Sequence, residues 1–412
     1  MKLLEYKNNK LFFDNIDLYD FSCNSTTPFY IYSETVIKDN INEYLSSTKD
    51  DVLFCYSIKA NSNLNILKLI SSLGLGFDVV SGGELFKALE AGGTPKKIVF
   101  SGVGKSSEEI EYALDSSILC FNVESIGELK LINTLAARKN IKADVSIRVN
   151  PDISVNTHPY ISTGMKNNKF GIPFDEALDV YKTAMNLDSL NIVGIDFHIG
   201  SQITSTKPYI DSVRSIKKLI NQLKSLDIKL EHIDVGGGVG IKYQNETTIN
   251  KSKYVKHILD ELRDLNLKII FEPGRSIIGD AGLLVTKAQY IKESEFKNFL
   301  VVDASMSELI RPPLYNAYHK ITPILKNKSK GKKYDVVGPV CESADFLGLE
   351  RDLCVGIGDY LVVENVGAYG FVLASNYNTR PKPAEYLIAS SKIQQIRKRE
   401  SIKQIIENET DL

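Results

Sequence analysis

The stretch 51-DVLFCYSIKANSNLNILKLISSLGLGFDVVSGGELFKALEAGG-93 reads as strand, helix, strand, helix. Its strand-like runs, 51-DVLFCYSI-58 and 76-GFDVVS-81, are short and rich in β-branched and aromatic residues, as strands covered on both faces are. The intervening 64-LNILKLISSLG-74 and the closing 84-ELFKALEAGG-93 repeat apolar residues at helical spacing and end in glycine, the usual residue past a helix C-terminus. The rhythm continues outward through 97-KIVFSG-102, 118-ILCFNV-123, 143-ADVSIRV-149, 192-IVGIDFHI-199, 231-EHIDVGG-237 and 268-KIIFEPG-274. Helical patterns such as 108-EEIEYALDSS-117, 126-IGELKLINTLAARKN-140 and 211-DSVRSIKKLINQLKSLD-227 separate them. Eight strand–helix units over about 225 residues is the count and length of a (β/α)8 TIM barrel. An open doubly wound sheet is the competing reading, and the barrel is preferred because no strand order has to be invented.

Past residue 280 the rhythm changes. The runs 283-LLVTKAQYI-291, 299-FLVVDAS-305, 334-YDVVGPV-340 and 360-YLVVENVG-367 follow one another without long helices between them. The sequence therefore predicts an α/β barrel over 30–278 and a second, β-rich domain of sandwich or barrel type over 279–412, completed by segment 1–29. The stretch 150–173 is the longest without periodicity and is expected to form a lid-like loop.

The 412 residues carry 50 Lys plus Arg against 51 Asp plus Glu, so no basic field favours nucleic acid or an anionic membrane. No signal-like N-terminal core and no apolar run of about 20 residues is evident. The five cysteines are scattered, with no C-x-x-C. A disulfide framework and a zinc site are both disfavoured, no metal is expected, and the cytoplasm is the simplest address.

Barrel enzymes place their chemistry at the C-terminal ends of the strands. There the sequence puts Lys59, Asp78, His198, the run Gly236-Gly237-Gly238 and Glu272-Pro273-Gly274-Arg275. Glycines after a strand can present amide N–H groups to a phosphate. The run fails the dinucleotide fingerprint, because Ile241 stands where a third glycine would be required. A lysine at a barrel mouth can be desolvated enough to act as a neutral amine toward a carbonyl. Pyridoxal phosphate unites these features: it needs a lysine for its aldehyde, amides for its phosphate and an acid for its pyridine nitrogen. Each residue alone is ordinary, and the joint pattern is what points to the cofactor.

In these motifs the chain resembles the fold-type III pyridoxal-phosphate decarboxylases, a family that includes ornithine and arginine decarboxylases. The matching segments are YSIKAN (56–61), FHIGSQ (197–202), DVGGGVG (234–240), EPGRS (272–276), GPVCESAD (338–345) and VGAYG (366–370), in order along most of the chain. THPYISTG (157–164), VDASMSELIRPPLY (302–315), CES (341–343) and YNTRP (377–381) are similar to the members acting on a diamino dicarboxylic acid. The resemblance implies that Lys59 holds the cofactor covalently, that His198 stacks on its ring and that Glu272 meets the ring nitrogen. It implies that Ser201, Gly236, Gly237, Gly238, Pro273, Gly274 and Arg275 surround the phosphate end, with Asp78 in the pocket and Tyr369 touching cofactor or substrate. It further implies that Cys341 is the proton donor and that Arg275, Arg311, Tyr315 and Glu342 grip the substrate. A homodimer with active sites shared between subunits is expected on the same ground.

The implied reaction is decarboxylation of meso-2,6-diaminopimelate to L-lysine and CO2, the last step of lysine biosynthesis. Two arginines and an acid suit a far end that carries both carboxylate and ammonium, whereas a polyamine head would set like charges together. Within the family the alternative substrates are carboxynorspermidine and a basic amino acid such as ornithine. A racemase of similar architecture would need acid–base groups on both ring faces, and a regulatory binding protein would have no need of both Lys59 and Cys341.

Overall fold

Strands buried on both faces are rich in apolar residues, and the barrel strands carry their buried polar residues mainly on one level of the interior. The computed structural model describes residues 3–46, 48, 52–151, 153, 169–327 and 330–410. They form two compact units, one of residues 42–241 with 247–276, the other of residues 1–41 with 242–246 and 277–412.

In the first unit eight parallel strands run in order: Val52–Ser57, Gly76–Val79, Ile98–Phe100, Cys120–Val123, Ala143–Asn150, Leu190–Asp196, His232–Asp234 and Lys268–Phe271. The eighth pairs with the first through Ile269↔Val52, Ile270↔Leu53 and Phe271↔Phe54, which closes the barrel. Helices follow most strands, among them Leu64–Ser72, Gly82–Glu90, Ser107–Asp115, Ile126–Arg138, Phe174–Met185, Lys207–Ser225 and Lys251–Leu262. Ser81, Ser106 and Ser125 cap three of them by accepting the N–H of Glu84, Glu109 and Glu128, which satisfies a donor the helix itself cannot.

Alternation along the strands splits the barrel interior into two levels. The lower one is apolar, built on Leu53, Cys55, Val99, Cys120, Val193 and Ile270. The upper one is polar and buried: Asp78, Ser101, Asn122, Arg148, Asp196, Asp234 and Glu272. The expected lid-like loop 150–173 lies for the most part outside the described residues, although Ile172–Pro173 pairs with the fifth strand.

The second unit is the β-rich one. A seven-strand path centres on Gly282–Lys292, and Phe29–Ser33 pairs with it antiparallel and with Ala384–Ala389 parallel. Because Phe29–Ser33 lies within this sheet, the chain passes to the barrel unit after residue 41, later than the expected boundary at 30. The core joins N-terminal Leu11, Phe13, Phe29 and Ile31 to Leu283, Val285, Val362 and Ile388. All four strand runs anticipated there are present, together with Phe346–Leu353, Ala384–Ala389 and Lys392–Arg397, which sequence reading missed. Phe346–Leu353 is partly exposed and Lys392–Arg397 has no buried residue, so charged residues such as Glu350, Arg351, Asp352 and Lys392 replace the apolar run a buried strand would show.

Candidate active site

At the barrel rim the short helical turn Ile58–Ala60 carries Lys59 out of the first strand. Its Nζ lies 2.6 Å from Asp78 Oδ2, on the neighbouring second strand. The Lys59 side chain is about a third exposed while that of Asp78 is fully buried. The amine therefore faces a carboxylate rather than the apolar surroundings expected of it. Asp78 Oδ1 has no hydrogen-bond partner. Glu84 stands nearby, its carboxyl pushed up to about 7 by burial, although the Val80 N–H and the Lys59 charge act in the opposite direction.

On the other side of the first strand, Glu272 directly follows the eighth strand. Its Oε1 accepts from Ser101 Oγ and Asn122 Nδ2, each at 3.4 Å. The carboxyl oxygens of Glu272, Asp234 and Asp196 lie within 4.8 Å of one another. Burial, and then the Asp234 charge, hold the Glu272 and Asp196 carboxyls well above their usual range, while burial, with the Asp78 charge adding to it and the Gly236 N–H opposing it, pushes Asp234 up to about 7. Arg148 answers part of this charge, with NH1 2.9 Å from Glu124 and Nε 3.7 Å from Asp196. Three adjacent buried carboxyls cannot all ionise, so the cluster holds a proton.

The triple-glycine turn differs from the open cradle the sequence suggests. The Gly236 N–H donates to Asp234 Oδ1 at 2.9 Å and the Gly237 N–H to His198 Nδ1 at 3.1 Å. A Cβ at Gly237 would lie 2.0 Å from the Glu272 carbonyl oxygen, and one at Gly238 2.0 Å from that of Gly200. These glycines let three strand-end loops close on one another. By accepting that N–H, His198 Nδ1 places the ring proton on Nε2. Burial, together with the Arg148 and Lys59 charges, lowers the His198 pKa well below its usual value, so the imidazole is neutral. Buried Arg275 reaches Ser201 Oγ from Nε at 3.4 Å and from NH2 at 3.1 Å. A Cβ at Gly274 would press on Ser57 and Ala60.

The structure thus gathers Lys59, Asp78, His198, Ser201, Gly236–Gly238 and Glu272–Arg275 into the barrel unit. The remaining candidates belong to the β-rich unit. Arg311 opens the helix Arg311–Tyr315, whose first turn contains Pro312 and Pro313, where a missing N–H costs nothing. It is buried, and its NH1 donates to Tyr243 OH at 2.7 Å. Tyr315 is half-buried in the same helix. Exposed Cys341 donates its backbone N–H to Asn378 Oδ1 at 3.2 Å, and Glu342 accepts from Tyr377 OH. Tyr369 takes a left-handed φ of 56° in the VGAYG turn.

Sequence reading missed Asp196, Asp234, Arg148, Glu124 and Asn122. The signal was present: each interrupts or extends an apolar strand run, and Asp196 and Asp234 lie two residues before His198 and Gly236, hence on the same strand face.

The barrel, its rim lysine and its acid-lined interior define the class, and the comparisons agree. Residues 35–279 match the family described as pyridoxal-dependent decarboxylase, pyridoxal binding domain. The chain is 47% identical to a diaminopimelate decarboxylase of Vibrio cholerae, over 96% of this chain and 95% of that one. It is 48% identical to that of Helicobacter pylori, over 92% and 94% respectively. The crystal structure of the Helicobacter pylori enzyme complexed with L-lysine has a TM-score of 0.91 at 46% identity, covering 94% of this chain and 98% of that one. The crystal structure of the diaminopimelate decarboxylase from M. jannaschii in co-complex with L-lysine has a TM-score of 0.94 at 36% identity, covering 100% of this chain and 98% of that one. The chain belongs to the diaminopimelate decarboxylases within the pyridoxal-dependent decarboxylase family.

Its cofactor is pyridoxal 5'-phosphate, and the residues present fit that group. A surplus of buried carboxyls, with oxygens of Asp78 and Asp234 lacking N–H or O–H partners, suits a protonated ring nitrogen. A neutral imidazole suits a flat ring face, and the Ser201–Arg275 pair suits a phosphate.

Proposed function

We propose that this chain decarboxylates meso-2,6-diaminopimelate to L-lysine and CO2, with Lys59 carrying the cofactor and Cys341 donating the proton. The observation that carries this reading is the barrel rim, where the Lys59 amine pairs with Asp78 in the same unit as neutral His198 and acidic Glu272. Bound pyridoxal phosphate supplies the electron sink that allows an amino acid to lose CO2. The other tasks fall to the chain's own side chains.

Glu272, backed by Asp234, holds a proton at the ring nitrogen, and the surplus of acid around it opposes that proton's loss. Asp78 Oδ2, 2.6 Å from Lys59 Nζ, orients the amine. Ser201, Gly238, Gly274 and Arg275 anchor the phosphate end, leaving Gly236 and Gly237 to hold the turn together. Cys341, as the thiol, returns a proton to the carbon that lost CO2. The loop bearing it is shaped by Asn378 and Tyr377. At the far end of the substrate, Arg275 and Arg311 meet the carboxylate and Glu342 meets the ammonium, with Tyr315 and Tyr369 beside them.

A homodimer completes this site, the Cys341–Glu342 segment of one subunit serving the barrel of the other. A cytoplasmic setting is consistent with five cysteines of which none is bonded to another.

The test is a comparison of CO2 release from meso-diaminopimelate, carboxynorspermidine, ornithine and lysine. The expected kcat/KM for meso-diaminopimelate exceeds the others by at least about 100-fold, the worth of a satisfied against an unsatisfied ionic group. A higher value for any of the other three would overturn the substrate assignment.

A further inference from the structure

The segment 242–246 leaves the glycine turn of the seventh strand, belongs to the β-rich unit and returns. Nothing in the reaction as described uses it. It is nevertheless built with care: the Glu246 carboxylate accepts the N–H groups of Tyr243 at 3.0 Å and Gln244 at 2.7 Å. Asn365 Nδ2 fastens it by donating to the Lys242 carbonyl at 3.0 Å. The product of this construction is the placement of one ring. Tyr243 is 9% exposed, and its hydroxyl accepts a hydrogen bond from Arg311 NH1 at 2.7 Å. The guanidinium carbon lies 5.0 Å from the ring centroid. On its other side the ring meets His319 edge-on at 5.3 Å, and His319 is itself fixed, with Nδ1 2.9 Å from the Glu364 carbonyl oxygen.

We propose that Tyr243 is a positioning residue, holding the Arg311 guanidinium in the orientation that receives the carboxylate at the unreactive end of the substrate. The inference rests on the assignment of Arg311 as a substrate group. A planar guanidinium recognises a carboxylate through two parallel N–H bonds, so its rotation must be fixed before the ligand arrives. A carboxylate partner could fix it, but would cancel the charge intended for the substrate. A phenol fixes it while leaving the charge intact, and the ring face adds a cation–π contact that shields it from water. Lysine at position 243 would repel, and a small residue would leave the fork to rotate.

The experiment uses the holoenzyme and two probes. L-Lysine retains the far-end carboxylate, whereas 1,5-diaminopentane has both amines and no carboxylate. Binding of each is read from the change in the visible spectrum of the bound cofactor, with KM and kcat for meso-diaminopimelate measured alongside. Tyr243→Phe keeps the ring and removes the hydroxyl. It should weaken L-lysine binding about tenfold, the size of one charge-assisted hydrogen bond, and raise KM more than it lowers kcat. Its affinity for 1,5-diaminopentane should match that of the parent enzyme. Equal weakening of both probes, which a general loosening of the fold would give, overturns the proposal, as does no change in either. Arg311→Met separates this inference from its premise. If Arg311→Met loses the preference for L-lysine and Tyr243→Phe keeps it, the inference alone fails. If Arg311→Met also keeps it, the Arg311 assignment fails and takes the inference with it.

Discussion

Asp234 joins two parts of the site through one carboxyl group. One oxygen holds the glycine turn through the Gly236 N–H, and the carboxyl lies within 4.8 Å of the acid placed for the ring nitrogen. Its pKa in the folded chain, about 7, lies above the ordinary 3.8, so folding takes up a proton between those values. The stability gained is fully present below about 4 and is lost as pH rises through about 7. Asparagine keeps the shape and the Gly236 hydrogen bond but cannot ionise. In cofactor-free protein, the melting temperature of Asp234→Asn relative to the parent should therefore rise between pH 6 and pH 8.5. A difference that stays flat over that range would show that Asp234 does not titrate there. Individual residues were legible in the sequence where they stood beyond a strand end, as Lys59, His198 and Glu272 do. Asp196 and Asp234 were overlooked because an apolar run with one charge reads simply as a strand, and only their two-residue offset from His198 and Gly236 shows which face they share.

Among the elements, the glycine turn after the seventh strand is the most tightly constrained. Backbone from the sixth and eighth strand ends approaches it so closely that a single methyl group has no room. Gly237→Ala should shift the turn away from Glu272, lowering cofactor affinity at least tenfold and costing about 2 kcal/mol or more of stability. Fluorescence titration with pyridoxal phosphate and thermal unfolding would measure the two effects. Cofactor binding equal to that of the parent would mean the turn does not set the site. The eight barrel strands could be read from sequence because burial on both faces makes them continuous apolar runs between helical stretches. The β-rich unit yielded only its buried strands. The place of strand Phe29–Ser33 between Gly282–Lys292 and Ala384–Ala389 depends on pairings across more than 240 positions, which local pattern does not encode.

For the whole molecule, the account divides the reaction between the barrel unit, which carries Lys59, and the β-rich unit, which carries Cys341. If the two come from different subunits, Lys59→Ala and Cys341→Ala chains, each inactive alone, should complement after subunit exchange. Random pairing gives hybrids in half the dimers, with one intact site of two, hence about a quarter of parental activity. No recovery would place both groups within one chain. All of this depends on a covalent bond at Lys59. The most direct measurement is borohydride reduction of purified protein followed by mass analysis of its peptides. The account predicts the pyridoxyl-phosphate mass on the peptide containing Lys59, together with loss of the visible absorption band, and neither in Lys59→Ala. A cofactor mass on any other lysine, or an unmodified Lys59 in protein that still decarboxylates, would contradict it.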